Sequence, residues 1–219
     1  MTELATMPEM ANNFEQDIIR RHSHKFGTHH YLKNKMDISS IFAQKALPIK
    51  LLLTDCDGVL TDNGVYYGAD GELMKRFSIR DGMAVERLRN TFGIDVGIVT
   101  GEASGSVVKR AEKLHISELH LSVKNKSIKV REIAQRLKLE LHEIAYIGDD
   151  INDVDIMEIV GLRACPADAL PFAQEHADYV CQNKGGNGAF REFAEQIIAA
   201  KQKAPKKLDK VLANNRQTK

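Results

Sequence analysis

Apolar positions along this chain follow two rhythms, short unbroken runs and longer stretches at helical spacing. Residues 49–54, Ile-Lys-Leu-Leu-Leu-Thr, form a run that stops at Asp55-Cys56-Asp57-Gly58, as a buried parallel strand does before a turn. Residues 65–77 place Tyr66, Tyr67, Met74 and Phe77 around Gly68-Ala69-Asp70-Gly71, a β-hairpin pattern with Asp-Gly at the turn. Helical spacing then covers 81–90, and residues 94–99 read as the next strand. The same alternation gives a helix over 104–114, a short strand at 119–121 and a helix over 127–137. A strand at 143–147 ends in Gly148-Asp149-Asp150, followed by a helix over 153–160, a strand at 162–165 and a helix over 189–200. Regular βα alternation predicts an α/β fold, a doubly wound parallel sheet covered on both faces, with ligands at the carboxyl ends of its strands. No internal repeat is visible.

The rhythm fades at both ends, so three parts are expected: a polar leader over 1–36, a catalytic domain over 37–200 and a basic tail over 201–219. The leader holds His22, His24, His29 and His30, but no predicted element fixes the rings at ligand geometry, so a solvated leader is the simpler reading than a metal site. Met36 precedes a short helix pattern capped by Asp37 and is a candidate second start. The tail carries seven basic residues against Asp209 and reads as a solvated terminus.

Composition narrows the function by exclusion. Of the 219 residues, 31 are Lys or Arg and 30 are Asp or Glu, a balance that argues against a dedicated nucleic-acid binder. No apolar stretch is long enough to span a membrane, and the first thirty residues lack the apolar core of a signal peptide. Cys56, Cys165 and Cys181 offer neither a disulfide framework nor zinc spacing, which makes a reducing cytoplasm the expected compartment.

The chemistry gathers at four strand ends. In Asp55-Cys56-Asp57-Gly58, one carboxylate can act as nucleophile while the second, two residues on, serves the same centre as general acid and base. Read alone, Asp-Gly is also a common turn. Two close acids repel unless a cation sits between them, and magnesium suits such oxygen ligands. Thr100-Gly101 offers a hydroxyl and an accessible backbone N–H to a phosphoryl oxygen. Lys126, at the start of a helix, can neutralise phosphate and nucleophile, although surface lysines are common. Gly148-Asp149-Asp150-Ile151-Asn152-Asp153 clusters like charges that read as metal ligands and their supports.

Taken together, these segments resemble the haloacid dehalogenase superfamily, whose phosphatases carry DxDG, Thr, Lys and GDxxxD in this order. The resemblance implies that Asp55 attacks phosphorus to form an aspartyl-phosphate, and that Asp57 protonates the leaving oxygen and then activates water. Thr100, Lys126 and the Gly101 amide would hold the phosphoryl oxygens. Mg2+ would be bound by Asp55, the Asp57 carbonyl and Asp149, with Asp150 and Asp153 positioning the metal and Lys126. Thr100 follows Asp55 by 45 residues and Lys126 follows Thr100 by 26, intervals already filled by predicted elements, so no cap domain is expected. A capless site must be closed some other way, and a neighbouring subunit is the economical lid.

A narrower resemblance rests on Asp55 to Gly64, on Phe77-Ser78-Ile79-Arg80-Asp81-Gly82 and on Gly185-Gly186-Asn187-Gly188. It points to the capless sugar-acid phosphatases, whose type member removes phosphate from 3-deoxy-D-manno-octulosonate 8-phosphate in lipopolysaccharide precursor synthesis. It implies a homotetramer built through the hairpins, Arg80 facing the substrate, and residues 184–188, with Lys184 and Asn187, closing a neighbour's site. Two positions depart from that pattern. Glu102 stands where Arg is usual after Thr-Gly, and Asn187 stands in the usual Gly-Gly-Arg-Gly. Glu102 followed by Lys113 resembles relatives acting on nine-carbon acids such as 2-keto-3-deoxynononate 9-phosphate, since a reversed charge can shift substrate preference. Family breadth keeps the eight-carbon substrate ahead. Three other classes fit less well. A phospho-accepting receiver would be about half this length, with its acid pair ahead of the acceptor on another strand. A phosphosugar mutase needs a cap. A non-catalytic subunit would not need Asp55, Asp57, Lys126 and Asp149 together.

Overall fold

Side chains that alternate along each central strand feed two separate cores, one on each face of a parallel sheet. The computed structural model describes residues 40–203; Met36, Asp37, the four leader histidines and the tail from residue 204 lie outside the described residues. A short helix, α1 (Ser40–Ala46), precedes β1 (Leu51–Thr54). The hairpin is β2 (Val65–Gly68) and β3 (Gly71–Lys75), antiparallel, with an irregularity between Tyr66 and Tyr67. Then follow α2 (Ile79–Phe92), β4 (Asp95–Val99), α3 (Gly105–Lys113), β5 (Glu118–His120) and α4 (Lys126–Leu137). The chain continues with β6 (Ile144–Ile147), α5 (Val154–Met157), β7 (Leu162–Cys165), α6 (Pro171–His176), β8 (Tyr179–Val180) and α7 (Ala189–Lys203).

The main sheet has the order β5-β4-β1-β6-β7-β8, and each adjacent pair is parallel. This is the expected doubly wound sheet, with the β2–β3 hairpin as a flap and no separate cap domain among the described residues. In β1, Leu52 packs with Ala84, Val85 and Leu88 of α2 and Phe193 of α7, whereas Leu51 and Leu53 pack with Val130 and Ile133 of α4. In β6 the same split sends Ala145 and Ile147 to the first core and Ile144 and Tyr146 to the second. Leu51, Leu52 and Leu53 are each at most 1% exposed, as a strand buried on both faces requires.

The sequence pattern missed α6 and β8 and drew one long helix over 153–160. With two residues, β8 has no period to read. The six-residue α6 begins at Leu170-Pro171 without a side-chain cap. Residues 151–153 form a 3-10 turn ahead of α5, because Asp150 and Asp153 cap one another's backbone N–H groups there. At the other end, α7 runs to Lys203, three residues into the expected tail.

Asp81, in the first turn of α2, caps a different helix. Its Oδ1 accepts from Arg191 N at 2.8 Å and its Oδ2 from Gly188 N at 3.2 Å, and the residue is 2% exposed. It thereby pins the start of α7 and the glycine loop before it. Asp81→Ala is expected to cost about 1–2 kcal/mol, the usual value of a lost cap, readable as a lower urea midpoint at unchanged slope. An unchanged midpoint would show that the cap carries no stability.

Candidate active site

From β1 the chain runs outward through β4 and β5, then returns to β6 on the other side of β1. Such a reversal opens a crevice beyond the carboxyl ends of the two strands that flank it. Asp55 follows β1 and Asp149 lies two residues past β6, so the crevice is lined by acids. Asp55 extends the sheet by one more rung, its N–H donating to the Ile147 carbonyl at 3.0 Å.

The centre of the crevice is a buried lysine between two carboxylates. Lys126 Nζ donates to Asp55 Oδ2 at 2.6 Å and to Asp153 Oδ1 at 2.7 Å. Asn125 presents it by capping α4, its side chain accepting from Ile128 N at 3.0 Å. Asp153 is fully engaged. The Tyr146 hydroxyl also donates to Oδ1, while the N–H groups of Asp149 and Asp150 donate to Oδ2 at 2.9 and 3.2 Å. Asp55, Asp149 and Asp153 each place an oxygen within 4.8 Å of the others. Burial, then the charge of Asp153, push Asp55 up to about 7, against the opposing pull of Lys126. Burial likewise pushes Asp149 up to about 7, with Asp153 and Asp150 adding repulsion. Lys126 is held above its ordinary value: burial opposes its charge, but Asp55 and Asp153 outweigh it.

Asp57 stands beside this group with both oxygens occupied. Thr61 Oγ1 donates to Oδ1 at 3.1 Å, and Lys75 Nζ, from β3, donates to Oδ2 at 2.5 Å. Gly58 has φ +80°, and a Cβ there would fall 1.9 Å from Asp149 Oδ2. Glycine is therefore needed twice, for the backbone conformation and to keep the space before Asp149 open. Asn63 reaches that same oxygen through Nδ2 at 3.3 Å. Thr100 is buried at the end of β4, its hydroxyl accepting from Glu102 N at 3.3 Å.

The remaining sequence-chosen residues lie farther out. Gly101 and Glu102 are exposed at the mouth of β4. Lys113 is exposed in the last turn of α3, and no ion pair joins it to Glu102 among the described residues. Arg80 is exposed in the first turn of α2. Lys184 is exposed, its carbonyl accepting from Asn187 N at 3.1 Å. Asn187 Oδ1 accepts from Arg76 Nη2 at 2.9 Å, and Arg76 also binds Asp62, so the arginine engaged at the glycine loop is Arg76. That loop packs against the turn after Asp57 of its own chain: Gly186 N donates to Val59 O at 2.9 Å, and a Cβ on Gly185 would fall 1.9 Å from Gly58 O. Sequence reasoning assigned no role to Tyr146, Asn63, Lys75 and Arg76, whose polar partners lie in other turns or elements, nor to Thr61, whose partner Asp57 is in its own turn.

The donor set fits a hard divalent cation. Asp55 and Asp149 are buried, mutually repelling oxygen donors, and Asp149 has one weak side-chain partner. Asp153 shares the cluster, but its hydrogen bonds make it a support for the site. Because protons compete for Asp55 and Asp149 up to about pH 7, Mg2+ is expected to raise the thermal midpoint more at pH 8 than at pH 6. An increment that does not depend on pH would contradict this ligand assignment.

Comparison with known proteins agrees with this arrangement. Residues 102–193 match the haloacid dehalogenase-like hydrolase family. The 3-deoxy-D-manno-octulosonate 8-phosphate phosphatase KdsC of Escherichia coli K12 is 39% identical over 166 residues, 76% of this chain and 88% of its own. The crystal structure of the phosphatase of that name from Yersinia pestis matches with a TM-score of 0.71 at 39% identity, covering 75% of this chain and 88% of that one. The enzyme from Moraxella catarrhalis, solved with a magnesium ion, a phosphate ion and a KDO molecule, gives 0.70 at 33% identity over 78% and 96%. The chain belongs to the haloacid dehalogenase-like hydrolases. Within them it is a phosphoric monoester hydrolase that resembles 3-deoxy-D-manno-octulosonate 8-phosphate phosphatase.

Proposed function

We propose that this enzyme hydrolyses 3-deoxy-D-manno-octulosonate 8-phosphate through an aspartyl-phosphate on Asp55, with Mg2+ as cofactor. The reading is carried by the buried Lys126 bridging Asp55 and Asp153 beside Asp149, and is supported by the substrate for which the relatives are named. Asp55, the Asp57 carbonyl and Asp149 would hold the cation, and Asp150 and Asp153 would support it. When bound, the cation withdraws charge from the phosphoryl oxygens.

An oxygen of Asp55 attacks phosphorus, the bond to the sugar oxygen breaks, and that oxygen takes a proton from Asp57. Asp57, now a carboxylate, accepts a proton from water as the water attacks the aspartyl-phosphate, and phosphate leaves Asp55 free again. Lys126, the Thr100 hydroxyl and the Gly101 N–H hold the phosphoryl oxygens throughout. Removal of divalent metal by chelator is expected to stop phosphate release from this ester, and Mg2+ to restore it. Full turnover in the metal-free enzyme would refute the cofactor assignment.

A second reading, a nine-carbon acid 9-phosphate as substrate, is favoured by Glu102, whose carboxylate is exposed and unpaired among the described residues at the mouth of β4. Both esters carry one carboxylate, so this acid would discriminate by accepting from the hydroxyl or amine groups of the longer acid. Glu102→Arg tests this by moving preference toward the eight-carbon ester, whereas an unchanged ratio would remove the position from the choice.

The apolar hairpin supports assembly as a homotetramer. Tyr67 is 73% exposed and Leu73 64%, beside exposed Tyr66 and Met74, a patch that a second copy would cover. The glycine loop, residues 184–188, would keep its place on its own chain's turn, and its Lys184 and Asn187 would line, with Arg80, the edge of the substrate site that a neighbouring subunit completes. Tyr67→Lys with Leu73→Lys is expected to yield smaller species by light scattering and a higher KM; an unchanged mass would place the interface elsewhere. Reaction in the cytoplasm is consistent with three buried, unpaired cysteines, and no helix of the described residues is long and apolar enough to cross a membrane.

A further inference from the structure

We propose that Lys75 is a positioning residue that fixes the Asp57 carboxyl group, whose protonated form keeps Oδ2 as acceptor from Lys75 and gives the proton on Oδ1 to the leaving oxygen. The inference rests on the reading of Asp57 as that proton donor.

Lys75 ends β3, a strand whose Leu73 and Met74 are exposed, yet its own side chain is only 1% exposed. Burying an ammonium group costs several kcal/mol unless it is paired, and an apolar side chain would pack the base of the hairpin at no such cost. The pairing it finds is functional in placement: Nζ lies 2.5 Å from Asp57 Oδ2 and 3.8 Å from Glu72 Oε2. With Thr61 on Oδ1, the carboxylate is held at both oxygens. It stays 22% exposed, so the remaining lone pairs can face the crevice.

A free carboxylate on a turn samples several rotamers, and one held at both ends does not. Effective proton transfer depends on that restriction. The same hairpin also reaches the far side of the site. Ser104, which caps α3 just after the Thr100–Glu102 loop, donates its hydroxyl to Glu72 Oε1. One strand therefore ties the proton donor to the loop proposed to cradle the phosphoryl group.

The test uses leaving groups of different acidity. An alkyl phosphate needs a proton on its departing oxygen, whereas p-nitrophenolate departs without one. kcat/KM reports the steps up to that departure. For Lys75→Met in the Mg2+-loaded full chain, kcat/KM for 3-deoxy-D-manno-octulosonate 8-phosphate is expected to fall at least about tenfold, and for p-nitrophenyl phosphate by less than about twofold. Lys75→Arg should keep most of the activity on both. Lys75→Gln, with a shorter neutral donor, serves should the methionine variant not fold. An equal fall on both esters, or no fall on either, would overturn the proposal. Asp57→Asn is measured in parallel. If it shows the split and the lysine variants do not, Lys75 alone is refuted; if it shows no split, the role of Asp57 fails and the inference fails with it.

Discussion

Asp55→Asn is expected to reduce phosphate release at least about a thousandfold while the protein still folds, because the substitution removes the proposed nucleophile and keeps the shape of the side chain. The amide is isosteric, and its oxygen can still accept from Cys56 N, which now donates to Asp55 Oδ1 at 2.7 Å. The amide Nδ2 then faces Lys126 Nζ in place of the oxygen that the lysine now binds at 2.6 Å, and Lys126 keeps Asp153 as its counter-charge at 2.7 Å. Burial and the neighbouring Asp153 already oppose a charge on Asp55, so a neutral side chain relieves repulsion in the metal-free protein. The lost Lys126 contact and the relieved repulsion oppose one another, so the metal-free thermal midpoint should move little, while the increment given by Mg2+ should shrink. Normal turnover in this variant would remove Asp55 as nucleophile.

Lys126→Met is expected to be the most destabilising single change at the site. Lys126 is 4% exposed and supplies the cation between two buried carboxylates. Breaking such a pair from one side leaves uncompensated charge and costs about 3–5 kcal/mol. The sign of its pH dependence follows from Asp55 and Asp149, whose values are pushed up to about 7. Without Lys126, acids raised this way destabilise the fold once they are ionised. Lys126 lowers both values, so in its absence the carboxyls take up protons already above pH 7; the deficit should grow as pH rises above 7 and fade as pH falls to it. Activity should drop at least about a hundredfold, since the phosphoryl oxygens lose their cation. A loss below about 1 kcal/mol at pH 8 would show that the pair contributes little.

What was legible in the chain follows a physical rule. Asp55 and Asp149 stood out because an apolar run that must be buried ends abruptly in carboxylates, a break the sheet itself does not require. Lys126 was visible by its place behind Asn125 at a helix start. Lys75 was not, because the alternation Gly-Glu-Leu-Met-Lys in the hairpin offers no sign that one charge turns inward to a partner 18 residues earlier. Tyr146 was hidden inside an apolar strand, its hydroxyl meeting an acid seven residues later. Asp81 reads as an ordinary first-turn acid of α2, yet it caps α7, more than a hundred residues away. Local pattern shows which groups are available and where strands end; it does not show which distant backbone or side chain each group will meet.

The assignment of substrate is tested most directly by steady-state phosphate release from two esters compared side by side, 3-deoxy-D-manno-octulosonate 8-phosphate and 2-keto-3-deoxynononate 9-phosphate, with the Mg2+-loaded enzyme. A higher kcat/KM for the eight-carbon ester, abolished by Asp55→Asn, is the expected result. A higher kcat/KM for the nine-carbon ester, or no release from either, would contradict it.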